Sequence, residues 1–157
     1  MLLLIVKLAH VLGAVLFLGT GAGSAYYKLR AFRSSDVRVV AWCDAEIVRA
    51  DWWFTVPSGV LMPTTGAALV HLYAFPWSSP WILVGLIGYA IAGLTWLPAA
   101  SLQIRMRRLS AQALADGTAL PPAYASDQRR WMLLGIPSFT ATLVVVWAMI
   151  AKWAFLP

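Results

Sequence analysis

Two histidines, a lysine and an aspartate are the residues of this chain whose types and settings suit chemistry. His10 lies in LLLIVKLAHVLGAVLFLGTG, with Lys7 a turn before it and Gly13 a turn after it. An ionisable side chain at membrane depth is costly and is normally matched by a partner or a ligand. Neutral imidazole is a good ligand for haem iron. Lys7 shares the helical face of His10 and is placed to pair with a haem propionate, and Gly13 removes a side chain where a flat macrocycle needs room. His71, the second of two histidines, sits near the end of another apolar run and completes a candidate haem b site with His10. The alternative is structural. His10 then hydrogen-bonds across helices, Lys7 snorkels to the surface, Gly13 serves packing and His71 is wet. Asp51, in RADWWFTVPSG, is expected to pair with Arg105 or Arg107 and hold two spans together, with a proton entry point as the alternative. No phosphate loop, nucleophile triad or pair of catalytic carboxylates is recognisable, so no catalytic residue is assigned. The single cysteine, Cys43, excludes an intrachain disulfide, a cysteine zinc site and an iron–sulfur cluster held by this chain alone.

The elements that must position these residues follow from composition. The chain has 157 residues, 61% hydrophobic and 11% charged, against roughly 25% charged in soluble domains. Trp52–Phe75, Trp81–Ile104 and Trp131–Ala151 contain no Asp, Glu, Lys or Arg, and Leu2–Tyr27 contains only Lys7. About 20 apolar residues suffice for a span. The expectation is an all-α, integral-membrane four-helix bundle of up-down topology, one domain over residues 1–157, with spans at about 2–33, 50–75, 80–109 and 127–153.

Charge sets the orientation. The net charge is +6, and ten of the twelve basic residues lie in Lys28–Arg49 and Arg105–Arg130. Clustering into two loops argues for a membrane partner and against nucleic acid. By the positive-inside rule the segments 34–49 and 110–126 are cytoplasmic and both termini face outward in a bacterial inner membrane. No basic region precedes the first apolar run and Lys28, Arg30 and Arg33 follow it, which favours an uncleaved first span.

Local signals add detail. Gly19 and Gly23 stand in GxxxG spacing and Gly21 is paired with Ala25, which suits close helix packing inside the bundle or homodimerisation. Ser34, Ser35 and Asp36 mark a turn and an N-cap, followed by a charged helix leading into the second span. Pro57 and Pro63 should bend that span, with Thr64 and Thr65 back-bonding to carbonyls freed by the proline. Residues 110–126, with Asp116-Gly117 and Pro121-Pro122, should be the most mobile loop. Trp52, Trp53, Trp77, Trp81, Trp131 and Trp153 near span ends suit interfacial anchoring.

Three segments, KLAHVLGAVLFLGTGAG, ADWWFTVPSGVLMPTTG and GLTWLPAASLQIRMRRLS, resemble a bacterial integral-membrane family known only as a domain of unknown function. That resemblance implies the four-helix fold and no activity. More distantly, Lys7 and His10, Val56-Pro57-Ser58 with Gly66, and Pro137 with Lys152 resemble the HemJ family of four-helix protoporphyrinogen oxidases. The HemJ resemblance implies haem held by His10. Where that family has a helix 3 lysine and an Asn-Glu pair before the helix 4 proline, this chain has Gly85 and Gly135-Ile136. The expected function is therefore a b-type haem or porphyrin-binding membrane protein, redox-active or not, with His10 as ligand. The alternative is a cofactor-free accessory or packing subunit of a larger membrane complex, or a homo-oligomer.

Overall fold

A computed structural model describes residues 1–152. Every regular element among them is helical: α1 (Leu2–Arg33), α2 (Val37–Ala50), α3 (Val56–Leu72), α4 (Pro80–Ala115) and α5 (Pro122–Ala151). A π turn over Asp51–Thr55 joins α2 to α3 without a break. α1 ends where Ser34 Oγ donates to Ala31 O at 2.6 Å and Ser35 adopts φ 56°. Asp36 then caps α2 by accepting from the Arg38 N–H at 2.8 Å, as expected for that residue type.

The prolines of the second span are accommodated locally. A proline lacks an N–H, and its ring crowds the carbonyl one turn back. The π turn widens the ladder just before Pro57, and Ser58 Oγ donates to Phe54 O at 2.5 Å. Pro63 leaves Gly59 O without a helical donor, and Tyr89 Oη of α4 donates to that oxygen instead. Thr64 and Thr65 back-bond to Val60 O at 2.8 Å and Leu61 O at 2.6 Å.

Polar side chains are buried and large apolar ones are exposed, the reverse of a soluble protein. Lys28, Asp44, Asp51, Gln103 and Asp127 are buried, while Leu4, Leu8, Val15, Leu94 and Ile150 are exposed. α1, α4 and α5 are long and apolar enough to cross a membrane. α3, with 17 residues, is shorter than about 20 by itself and continues the π turn before it.

α4 and α5 form the tightest pair, and α1 lies along α3. The two pairs are joined mainly at one end, where α2 packs on α1 and α4. Val40, Ile47, Met106 and Tyr124 form a core there, among the arginines of both basic segments. This is called the basic end. At the opposite end Val70, Trp81 and Ile82 form a smaller core. α1 meets α5 at the basic end, where Phe32 stacks on Tyr124, and between the ends α3 reaches α4 only through side chains.

Several boundaries differ from expectation. α4 continues to Ala115 rather than 109, and α5 begins at Pro122, so most of residues 110–126 is helical rather than a loop. The reason is packing: Ser110, Ala113 and Tyr124 are buried against the basic-end core. Trp52, Trp53 and Trp77 point outward as expected of anchors, but Trp81 and Trp131 are buried in the two cores. The expected fourth-span end at Trp153 lies outside the described residues.

Candidate functional site

His10 is held by α3. Its Nδ1 lies 2.9 Å from Thr65 Oγ1. Thr65 has one hydroxyl proton, and that proton is directed to Leu61 O at 2.6 Å. Thr65 Oγ1 can therefore only accept from the ring, which makes Nδ1 the protonated nitrogen and leaves the lone pair on Nε2. Gly66 makes the approach possible, since a Cβ there would stand 3.3 Å from His10 Cε1. Thr65 and Gly66 are thus positioning residues, legible in the sequence only as a proline-associated turn.

The rest of the expected haem site is not assembled around His10. The space above Gly13 is filled, because a Cβ there would lie 3.5 Å from both Leu61 and Met62. That is ordinary van der Waals contact, so α3 covers Gly13 without requiring a glycine there. His71 is exposed, and among the described residues its side chain has no hydrogen bond to His10 or any other group. Lys7 is exposed and makes no ion pair among the described residues.

Asp51 lies where α2 passes into the π turn. Thr55 Oγ1, at the far end of the same turn, donates to Asp51 Oδ1 at 2.7 Å. Gln103 of α4 stands beside the carboxyl group. Asp51 is only 8% exposed, and among the described residues its buried Oδ2 has no hydrogen bond of good geometry, with only the Gln103 side chain beside the carboxyl group. The expected pairing with Arg105 or Arg107 is not made. Arg105 Nε lies 3.1 Å from Asp127 Oδ2 on α5 instead, and Arg107 is exposed, with no ion pair among the described residues. For Arg105 the cause is the rotation of α4, since Gln103 faces inward and the residue two further on points about 200° away, whereas Arg107 shares the Gln103 face but lies about 6 Å further along the helix.

Asp51 closes the polar end of a cavity of about 540 Å³ bounded by α1, the π turn, α4 and α5. Gly21, Ala22 and Ala25 form its α1 wall, and Trp96, Trp131 and Phe139 supply aromatic surface opposite. Gly19 and Gly23, expected to pack, meet nothing within 4 Å of a would-be Cβ, and neither does Gly21. Gly19 and Gly23 therefore seat no helix of this chain among the described residues, while Gly21 and Ala25 line the cavity. The close glycine contacts lie elsewhere, at Gly85 and Gly88 against Met149 and Val145 of α5.

A second polar cluster was not anticipated. Lys28 of α1 is 1% exposed and pairs with Asp44 of α2, which is 2% exposed. Asp44 Oδ2 also accepts from Ser110 Oγ of α4 at 2.8 Å and Tyr124 Oη of α5 at 2.9 Å. The Lys28 ammonium stands 5.6 Å from the ring centres of Tyr124 and Trp131. Both oxygens of the carboxylate are satisfied, and the cluster joins four helices. The sequence signal was available: Asp44 is the acidic residue of VRVVAWCDAEIVRA that shares a face with Val40, Ile47 and Val48.

No group of three or more metal-ligating side chains is present among the described residues. The chain belongs to the family described as a predicted integral membrane protein (DUF2269), whose model matches residues 4–153. No curated protein and no solved structure matches it.

Proposed function

With that membership as the premise, we propose that the chain is a membrane-embedded binding protein for a lipid-phase molecule, taken up between α1 and the α4–α5 pair. The supporting observation is the cavity, apolar along its walls and polar at the Asp51–Thr55–Gln103 end. Such a shape suits an amphipathic ligand lying along the membrane normal, its head toward the basic end. The orientation that goes with this reading is four spans, N-out and C-out, in a bacterial inner membrane. It rests on the positive-inside rule and on the gathering of both basic segments at one end. Dodecanol offered to the delipidated protein in detergent should give a one-to-one adduct by native mass spectrometry. Gly21→Leu, which fills the cavity without overpacking a neighbour, should abolish it. Absence of any adduct with the wild type would leave the accessory or packing subunit as the better reading.

A second reading keeps the expected haem b at His10, and the HemJ resemblance points the same way. One observation favours it: Thr65 fixes the ring through Nδ1 and leaves the Nε2 lone pair free, as in metal-ligating histidines. Haem bound there would supply one-electron chemistry. The filled space at Gly13 and the separate placement of His71 argue against a bis-histidine site in this chain. An absorption spectrum of protein purified from haem-sufficient cells tests it. A Soret band lost in His10→Ala supports haem, and a colourless protein that stays colourless on haem addition overturns it.

A further inference from the structure

Four of the six acidic residues have a basic partner: Asp36 with Arg38, Asp44 with Lys28, Glu46 with Arg49 and Asp127 with Arg105. Asp116 is exposed and accepts from Gln112 at 2.8 Å. Asp51 alone among them has neither a cation nor full access to solvent. Three cations of the basic end are already committed. Lys28 is spent on Asp44, Arg49 on Glu46 and Arg105 on Asp127.

From this imbalance we infer that the ligand of the cavity carries a positively charged, hydrogen-bond-donating head, a long-chain amine or a similar lipophilic cation, that pairs with the Asp51 carboxylate. The inference rests on the cavity reading above and specifies its ligand class. An ionised aspartate oxygen only accepts, and Thr55 has already given its proton to Oδ1. Leaving a buried charge unpaired is costly in a low-dielectric setting, and a cationic donor relieves that cost. Walls as apolar as those around Trp96 and Phe139 admit a hydrocarbon tail but add no second charge. A carboxylate head, such as a fatty acid or a porphyrin propionate, would meet Asp51 with like sign. The α1 wall of Gly21, Ala22 and Ala25 gives the tail its volume.

The test holds the tail constant and changes the head. Dodecylamine, dodecanol and dodecanoate are titrated against the full chain in delipidated detergent and followed by native mass spectrometry. The amine should bind at least tenfold more tightly than the alcohol, and the carboxylate least. Asp51→Asn should bring amine and alcohol to equal affinity, while Asp51→Glu should retain the amine preference. Equal binding of amine and alcohol by the wild type, or a preference for the carboxylate, overturns the cationic head and leaves the cavity reading intact. Binding of none of the three overturns both. If Asp51→Asn fails to elute as a monodisperse species, the wild-type head series and Asp51→Glu decide the matter alone.

Discussion

At the scale of single residues, the chain spends hydroxyl protons in a way that fixes the chemistry of its neighbours. Thr55 donates to Asp51 and Thr65 donates to a backbone carbonyl, so the first holds one carboxyl oxygen in place and the second dictates a histidine tautomer. The tautomer is directly observable. Nitrogen-15 spectra of the protein in detergent should show His10 with a protonated Nδ1 and an unprotonated Nε2. Thr65→Val removes the acceptor for Nδ1 and should lower stability by about 1 kcal/mol. Thr65→Ser should restore both the stability and the spectrum. A His10 ring protonated on Nε2 in the wild type would contradict the hydrogen-bond assignment.

At the scale of elements, two helix pairs are held by different means. α1 and α3 meet at Gly13 and Gly66, each of which accepts side chains of the partner helix. α4 and α5 approach so closely at Gly88 that a Cβ would strike Val145 Cγ2 and lie 3.3 Å from Ala141 O. A branched side chain and a backbone carbonyl yield little. Gly88→Ala should therefore cost about 1–3 kcal/mol by overpacking. Gly93→Ala, in the same helix with nothing within 4 Å, should be neutral or stabilise by up to about 1 kcal/mol. Thermal unfolding in detergent separates the two, and equal effects would mean that α4 and α5 are not this close. The comparison also shows where sequence reading stops. Charge-free runs located the apolar helices, because absence of charge needs no knowledge of rotation. The GxxxG spacing of Gly19 and Gly23 could not say which face of α1 meets a neighbour, and the close glycine contacts within the chain are at Gly66, Gly85 and Gly88. Likewise Asp51 and Arg105 were rightly placed near the same depth, yet α4 turns Arg105 toward Asp127. His10 stood out as an isolated cost in an apolar run, whereas the cavity, built from small residues on one helix and large ones on two others, left no pattern in any single segment.

At the scale of the whole molecule, the basic end works as a clamp and the middle is left open. The Lys28–Asp44 pair, with Ser110 and Tyr124, ties α1, α2, α4 and α5 together at the one place where all four converge. Breaking a buried pair from one side strands a charge, so Asp44→Leu should cost about 3–5 kcal/mol. Lys28→Met combined with Asp44→Leu should recover a large part of that loss, since two apolar groups remove the stranded charge. Failure of the double variant to recover would mean that Ser110 and Tyr124, rather than the ion pair, carry the clamp. The proposed orientation is also tested at this scale. The arginines of the basic end flank two helix connections that come together in space, and the α3–α4 connection at the other end carries no charge. The positive-inside rule then puts that connection outside. Ser78 is the position to probe, because it is exposed whereas the adjacent Ser79 is buried. The native Cys43 will not interfere: it is buried, and burial pushes its thiol above the usual range, with Lys28 opposing that shift in part. An impermeant maleimide added to intact cells should label Ser78→Cys and leave the parent chain unlabelled, and Cys43 should react only after denaturation in detergent. Protection of Ser78→Cys in intact cells with labelling after lysis would invert the orientation, and with it the side from which Asp51 is reached.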